Sequence, residues 1–401
     1  MTRSHPAHTR ILVWMCVLIG VNQLGFGAII PVLALYARSF DVPQSAIGVA
    51  IGVYGLGRFL IAVPAGQLSD RLGRRSVLAI GGLVTAAGNL MCAYAPSFSA
   101  LVGARFVAGA GAALVLIAGQ IVLADITTPA HRGRWMAIYQ GAFLFAVGIG
   151  PFPGGLLAEH FGLPAPFAAF AAMGALAAVV AWFRVPETRD LRRAAEDARA
   201  SLPSFAAQVR ILTANIGFVL ASLVSFINAV GRTGGLFNVI PVLARDRLAL
   251  SADRIGLGLA LASLVGLVLA YPAGVLVDRY GRKAVIVPST IMAGISLALF
   301  ALAPSYAWFL VACVAWSIAA GISGAAPIAY AADVAPPGMN AAAMSTFRML
   351  GDLGYVLGPI ALGLVTDLAG ADRALVGTAV LLVAVALLFA RFAPESYRPR
   401  L

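Results

Sequence analysis

Runs of about twenty apolar residues, broken by short polar turns, recur along the whole chain. That length crosses a bilayer as an α-helix. Strict apolar–polar alternation, the mark of barrel strands, is not seen. Backbone in lipid must satisfy its own hydrogen bonds, so the runs predict helices. Twelve spans are expected, at residues 11–37, 45–68, 76–95, 98–124, 134–157, 164–184, 211–242, 252–275, 285–303, 306–332, 341–367 and 373–392.

Composition agrees with that pattern. The chain has 401 residues, 61% of them hydrophobic, and a mean hydropathy of +0.93. Soluble domains average about 45–50% apolar residues. The first run is too long for a signal peptide and reads as a retained span. A net charge of +12 invites a nucleic-acid reading, but the basic residues lie in the turns. With both termini on one side, the opposite side receives only Arg38, Arg245, Arg247, Arg254 and Arg373. This positive-inside asymmetry puts both termini in the cytoplasm of a cell membrane, a bacterial inner membrane being expected, and excludes a nucleic-acid partner. Cys16, Cys92 and Cys313 are odd in number and unclustered, which indicates neither disulfides nor a metal site. His5, His8, His131 and His160 lie near or outside span ends. No nucleophile–base motif or nucleotide-binding loop is present, so an enzyme or an ATP-driven pump is disfavoured and no cofactor is expected.

The chain also repeats itself. "AGQLSDRLGRR" at 65–75 returns as "AGVLVDRYGRK" at 273–283. The same shift of 208 carries Asp125 onto Asp333, Gly150-Pro151 onto Gly358-Pro359 and Pro186-Glu187 onto Pro394-Glu395. The fold expected is an all-α membrane protein with twelve transmembrane helices in two pseudo-symmetric six-helix halves. These are residues 1–184 and 211–401, joined by a charged cytoplasmic linker at 185–210. Parallel repeats of this kind are an architecture of secondary transporters.

The doubled loop resembles the signature of the major facilitator superfamily. "RFVAGAGAA" at 105–113 resembles that family's fourth-helix motif, and "GIGPFPGG" at 148–155 the fifth-helix motif of its drug/proton antiporters. "LGFGAIIPVLALY" at 24–36 resembles the first helix of the twelve-span members of that group. The resemblance implies alternating access, a small-molecule substrate, protons as a second partner, and a monomer in the lipid bilayer. It assigns gating to Gly66, Asp70, Arg71, Gly73 and Arg74, and in the second half to Gly274, Asp278, Arg279, Gly281 and Arg282. Gly66 and Gly73 would permit close approach and a tight turn. Asp70 would sit on the positive end of span eleven near Asn340, and Asp278 on that of span five near Arg134, latching the halves shut. Gly148, Gly150, Pro151, Gly154 and Gly155 would form a small-residue face with a proline kink, a tight seam on which the halves pivot. Arg105 matches a residue associated with proton coupling.

Five ionisable residues fall well inside spans, away from their ends: Arg58, Arg105, Arg232, Arg348 and Asp352. Each costs a few kcal/mol or more at the bilayer centre and needs a partner or water. Asp352 is the acid near mid-depth and the candidate proton carrier. A structural ion pair is the alternative, with Arg348 at i, i+4 spacing or with Arg58. Asp125, at the end of span four, is the next candidate. Spans one and seven line the cavity of the resembled fold. Asn22, Gln23, Phe26, Arg58, Asn228, Arg232 and Asn238 are therefore candidate substrate contacts, with interhelical hydrogen bonding as the alternative. Several members of the resembled group place an acid in the first helix; span one here carries none, and the charges well inside spans are four arginines to one aspartate, which favours neutral or anionic substrates over cations. Two functions remain open: proton-coupled export of small amphipathic molecules, or an organic-anion transporter or facilitator with an arginine-lined cavity.

Overall fold

The computed structural model describes residues 6–126, 129–188, 205–323, 326–336 and 339–396. Among these every regular element is helical, and twelve stretches are long and apolar enough to cross a membrane. The first four spans are α1 (Pro6–Arg38), α2 (Gln44–Leu72), α3 (Arg74–Ala93) and α4 (Phe98–Ile126). Span five is divided into α5 (Pro129–Ile149) and α6 (Pro151–Phe161), and span six is α7 (Ala165–Arg184). After a short helix α8 (Phe205–Thr213), span seven runs through α9 (Ile216–Val230), a π-helical segment (Gly231–Val239) and α10 (Ile240–Leu248). Then come α11 (Ala252–Tyr280), α12 (Arg282–Leu302), α13 (Tyr306–Ser323) with α14 (Ala326–Asp333), α15 (Asn340–Ala369) and α16 (Ala371–Phe392). Most of the expected linker, residues 189–204, lies outside the described residues.

Contacts divide the chain into two units: Met1–Asp41 with Val53–Ala200, and Val42–Gly52 with Ser201–Leu401. The start of α2 therefore groups with the second unit and its remainder with the first. In the first unit α3 packs on α4 and α7, and α1 on α5 and α7. Met15, Leu18, Ile19, Val77, Val115, Val122 and Ala181 fill its centre. Lipid is as apolar as leucine, so helices in it associate through close packing of small residues. The α3–α4 and α3–α7 seams follow that rule: Gly88 faces the Ala108 backbone and Gly82 the Gly174 carbonyl. Leu83, Leu90, Met91 and Phe183 point outward, as lipid-facing side chains do. In the second unit α12 packs on α13 and α16, and α15 on α9 and the π segment. Phe300 meets Phe309 edge-on at 5.5 Å, and Tyr330 meets Phe389 at 5.1 Å.

Three local differences from the sequence reading have clear causes. The loop motif is barely a loop, because α2 and α3 are separated by Gly73 alone, at φ +89°. Span seven starts at Ile216 rather than 211, because the Asn215 side chain accepts a hydrogen bond from Phe218 N and caps the helix. It continues to Leu248 rather than 242, passing Pro241. Proline has no N–H, so the Phe237 carbonyl loses its usual donor, and the ladder widens to π geometry just before it.

Candidate functional site

The charges of the first loop motif close on one another. Arg74 is 1% exposed. Its Nε donates to Asp125 Oδ2 at 3.0 Å, its Nη1 donates to the Ser69 carbonyl at 2.9 Å, and its Nη2 pairs with Asp70 Oδ1 at 3.1 Å. Thr188 Oγ1 donates to the same Asp125 oxygen at 3.0 Å. Glu187 caps α3: its Oε1 accepts from Arg74 N at 2.9 Å and its Oε2 from Arg75 N at 3.3 Å. The first N–H groups of a helix lack internal partners and carry partial positive charge, so a carboxylate is stabilising there. Gly73 makes room for that carboxylate, since a Cβ at this position would strike Glu187.

The second half builds the same network at the same shift of 208. Arg282 Nε donates to Asp333 Oδ2 at 2.9 Å and its Nη1 to the Val277 carbonyl at 2.9 Å. Glu395 accepts from Arg282 N at 3.1 Å and Lys283 N at 3.2 Å, while Ser396 Oγ donates to Asp333 at 3.2 Å. Gly281, at φ +94°, makes the turn. The surroundings of Gly274 and the side chain of Asp278 lie outside what is described. Glu187 and Glu395 stood out in the sequence as a repeat match, but no role was assigned to them. Arg71 is exposed, and Arg279 lies over the Tyr280 ring at 5.6 Å. Gly66 lies inside α2 and makes no turn, and no described residue comes within 4 Å of a Cβ built there.

The helix-five motif forms a backbone-to-backbone seam. A Cβ on Gly150 would lie 2.6 Å from the Leu24 carbonyl oxygen, and one on Gly154 would strike the Ala28 carbonyl. Pro151 frees the Val147 carbonyl from its helical donor, and that oxygen faces Gly27. The seam is α1 against α5 and α6, inside the first unit. Gly148 and Gly155 are buried beside it.

The charges within spans differ in their surroundings. Arg105 is 1% exposed and lies over the Tyr54 ring at 4.3 Å. Tyr54 in turn stacks on Phe26 at 5.3 Å. Tyr54 escaped the sequence reading, although it precedes Arg58 by one turn. The expected Arg348–Asp352 pair is not formed, and neither residue has a hydrogen bond or ion pair among the described residues. An acid four residues after a base is the weaker order for such a pair on a helix. Asp352 is half-buried, Arg348 is exposed, and Arg58 is half-buried with no such partner among the described residues. Arg232 is exposed at the start of the π segment.

The uncharged candidates separate into two kinds. Asn22 and Gln23 are buried; Gln23 Nε2 donates to Asn22 Oδ1 at 3.2 Å, and Asn22 Nδ2 has no partner among the described residues. Asn228 Nδ2 donates to the Val224 carbonyl in its own helix at 2.9 Å. Asn238 is fully buried: its Nδ2 donates to the Pro359 carbonyl at 2.8 Å, and its Oδ1 accepts from Gln44 Nε2 at 2.8 Å. That places Asn238 in a helix-to-helix network.

Comparisons with known proteins agree with one another. The family model described as Major Facilitator Superfamily matches residues 15–243 and 221–401. An uncharacterized MFS-type transporter of Methanocaldococcus jannaschii is 24% identical over 354 residues, covering 87% of this chain and 89% of the relative. The class C tetracycline resistance protein of Escherichia coli is 32% identical over 272 residues, 67% of each chain. Among solved structures, a bacterial homolog of the human lysosomal transporter Spinster, inward-facing and occupied, superposes with a TM-score of 0.80. It is 17% identical, with 97% of each chain covered, and it supports the fold alone.

Proposed function

The chain belongs to the Major Facilitator Superfamily, whose members are carriers rather than enzymes, and from that premise we propose that this multi-pass membrane protein exports small amphipathic organic molecules in exchange for protons, by alternating access. The observation that carries the proton half is Asp352: a carboxyl group inside a membrane helix, half-buried, with no hydrogen-bond or ion-pair partner among the described residues. A charged carboxylate at that depth costs several kcal/mol unless it is paired, hydrated or neutral. Its protonation then follows whichever side supplies water. Export as the direction draws on the likeness to a tetracycline resistance protein. In this reading residues 1–184 and 211–401 are the moving halves, the loop motifs gate the cytoplasmic side, and the protein works as a monomer in a bacterial inner membrane with both termini in the cytoplasm. Asn22, Gln23 and Phe26 serve the substrate from the first half, and Asn228 and Arg232 from the second.

A second reading, an organic-anion carrier, draws support from Arg58 and Arg348, neither of which has an acidic partner among the described residues. Purified protein in liposomes separates the two readings, with tetracycline and an anionic amphiphile as probes. The antiporter reading expects tetracycline movement that scales with an imposed pH gradient. In Asp352→Asn that dependence should vanish while substrate exchange persists. Anion movement indifferent to pH favours the second reading, and unchanged pH dependence in Asp352→Asn removes this residue from the mechanism.

A further inference from the structure

The end of the molecule opposite the loop motifs holds a hydrogen-bonded closure that the sequence did not suggest. Asp367, near the end of α15, accepts from the first two backbone N–H groups of α2: Gln44 N to Oδ1 at 2.8 Å and Ser45 N to Oδ2 at 2.9 Å. Both carboxylate oxygens are therefore spent on orphan donors at the positive end of a helix. Beneath this cap, the buried Gln44 side chain donates to both the Asn238 carbonyl at 3.0 Å and Asn238 Oδ1 at 2.8 Å. Asn238 passes the connection on to the Pro359 carbonyl. Glycines bring the backbones together around these bonds. Gly48 abuts the Pro359 carbonyl, Gly52 the Val356 carbonyl and Gly363 the Gln44 carbonyl.

Three elements from distant parts of the sequence meet here: the start of α2, the π segment and the outer half of α15. Residues 42–52 belong by their contacts to the second unit, although the same helix continues into the first from Val53. A carrier that opens at this end must pull the start of α2 away from α15. The four bonds made by Gln44 and Ser45 then break, while the Asn238–Pro359 bond, which lies within residues 211–401, survives. We propose that Asp367, Gln44 and Asn238 are the latch that holds this end of the carrier closed, with Asp367 as the helix-capping bolt and Gln44–Asn238 as the buried catch. The latch rests on the alternating-access reading. It also accounts for the surroundings of Asn238: its Nδ2 is held by the Pro359 carbonyl, which aims its Oδ1 at Gln44.

The test is a distance measurement that needs no substrate. Spin labels are attached at Ser39, on the α1–α2 turn, and at the exposed Leu368, in protein lacking Cys16, Cys92 and Cys313 and reconstituted in lipid. Losing a helix cap shifts an equilibrium by roughly five-fold. Asp367→Asn should therefore raise the ratio of long to short distances by about five-fold, and Gln44→Leu, which leaves a buried amide unpaired, by about ten-fold. Asp367→Glu should stay close to wild type. Asp372, paired with Arg247 on the neighbouring surface at 2.5 Å, supplies the control: Asp372→Asn should leave the ratio unchanged. Gln44→Leu keeps the question decidable if Asp367→Asn fails to fold. The latch is overturned if long and short populations exist but have the same ratio in Asp367→Asn, Gln44→Leu and Asp372→Asn. A single distance in every variant, unmoved by pH or by tetracycline, overturns it too, and with it the alternating-access reading.

Discussion

Two glycines of one motif should respond to the same substitution in opposite ways. Gly73 joins α2 to α3 at φ +89° and ψ 157°, a region that residues with a Cβ occupy at a cost of about 1–3 kcal/mol. An alanine methyl there would also strike the Glu187 carboxylate, which holds the first two N–H groups of α3. Losing a helix cap adds about 1 kcal/mol. Gly73→Ala should therefore destabilise the protein by about 2–4 kcal/mol. Gly66 sits seven residues earlier, inside α2, with open space where its Cβ would go. Alanine is favoured over glycine in a helix interior by about 0.5–1 kcal/mol, so Gly66→Ala should be neutral or stabilising. The assay is thermal or denaturant unfolding in detergent, with each variant compared to wild type. If Gly73→Ala is as stable as wild type, or Gly66→Ala loses as much as Gly73→Ala, the backbone account of the motif is wrong.

Other outcomes follow from the same geometry. Arg74→Ala leaves the nearly buried Asp125 without its guanidinium, a loss of about 3–5 kcal/mol; Arg74→Lys should recover only part of it, since an ammonium cannot span the same acceptors. Gly154→Ala pushes a methyl into the Ala28 carbonyl and should cost about 1–3 kcal/mol, whereas Gly141→Ala, inside α5 with open space at its Cβ, should be neutral or stabilising by up to about 1 kcal/mol. Arg232→Ala should weaken an anionic amphiphile by about ten-fold, or about 1.4 kcal/mol, and spare a quaternary ammonium dye. Equal binding of both probes by that variant and by wild type, measured by tryptophan quenching or calorimetry, refutes an electropositive cavity.

What the sequence disclosed was local or periodic. Hydropathy placed the spans because a bilayer imposes one length on them, and the shift of 208 was visible because the two halves keep their motif residues in step. The structure extends that register to partners: Asp125 and Asp333, Glu187 and Glu395, Thr188 and Ser396 do the same work in each half. Their roles were hidden because the bonds span long separations, 113 positions from Arg74 to Glu187 and 323 from Gln44 to Asp367. Asn238 was read as a cavity residue because a polar side chain in an apolar run looks the same whether it meets a ligand or a neighbouring carbonyl. Spacing placed Arg348 and Asp352 on one helix face, but the order of the two charges disfavours the pair. Gly66 and Gly73 are alike in sequence; the backbone angle and the Glu187 carboxylate beside Gly73 tell them apart.

In the proposed exchange a proton moves through Asp352 as substrate crosses in the opposite direction. Its most direct measurement is proton flux itself, read by a pH-sensitive dye sealed inside proteoliposomes with no initial pH gradient while a tetracycline gradient drives transport. The account predicts a pH change in the wild-type vesicles whose sign reverses with the direction of the tetracycline gradient, and no such change in Asp352→Asn vesicles that still exchange tetracycline. Tetracycline transport by the wild-type protein without any proton flux, or flux in Asp352→Asn equal to wild type, would contradict it.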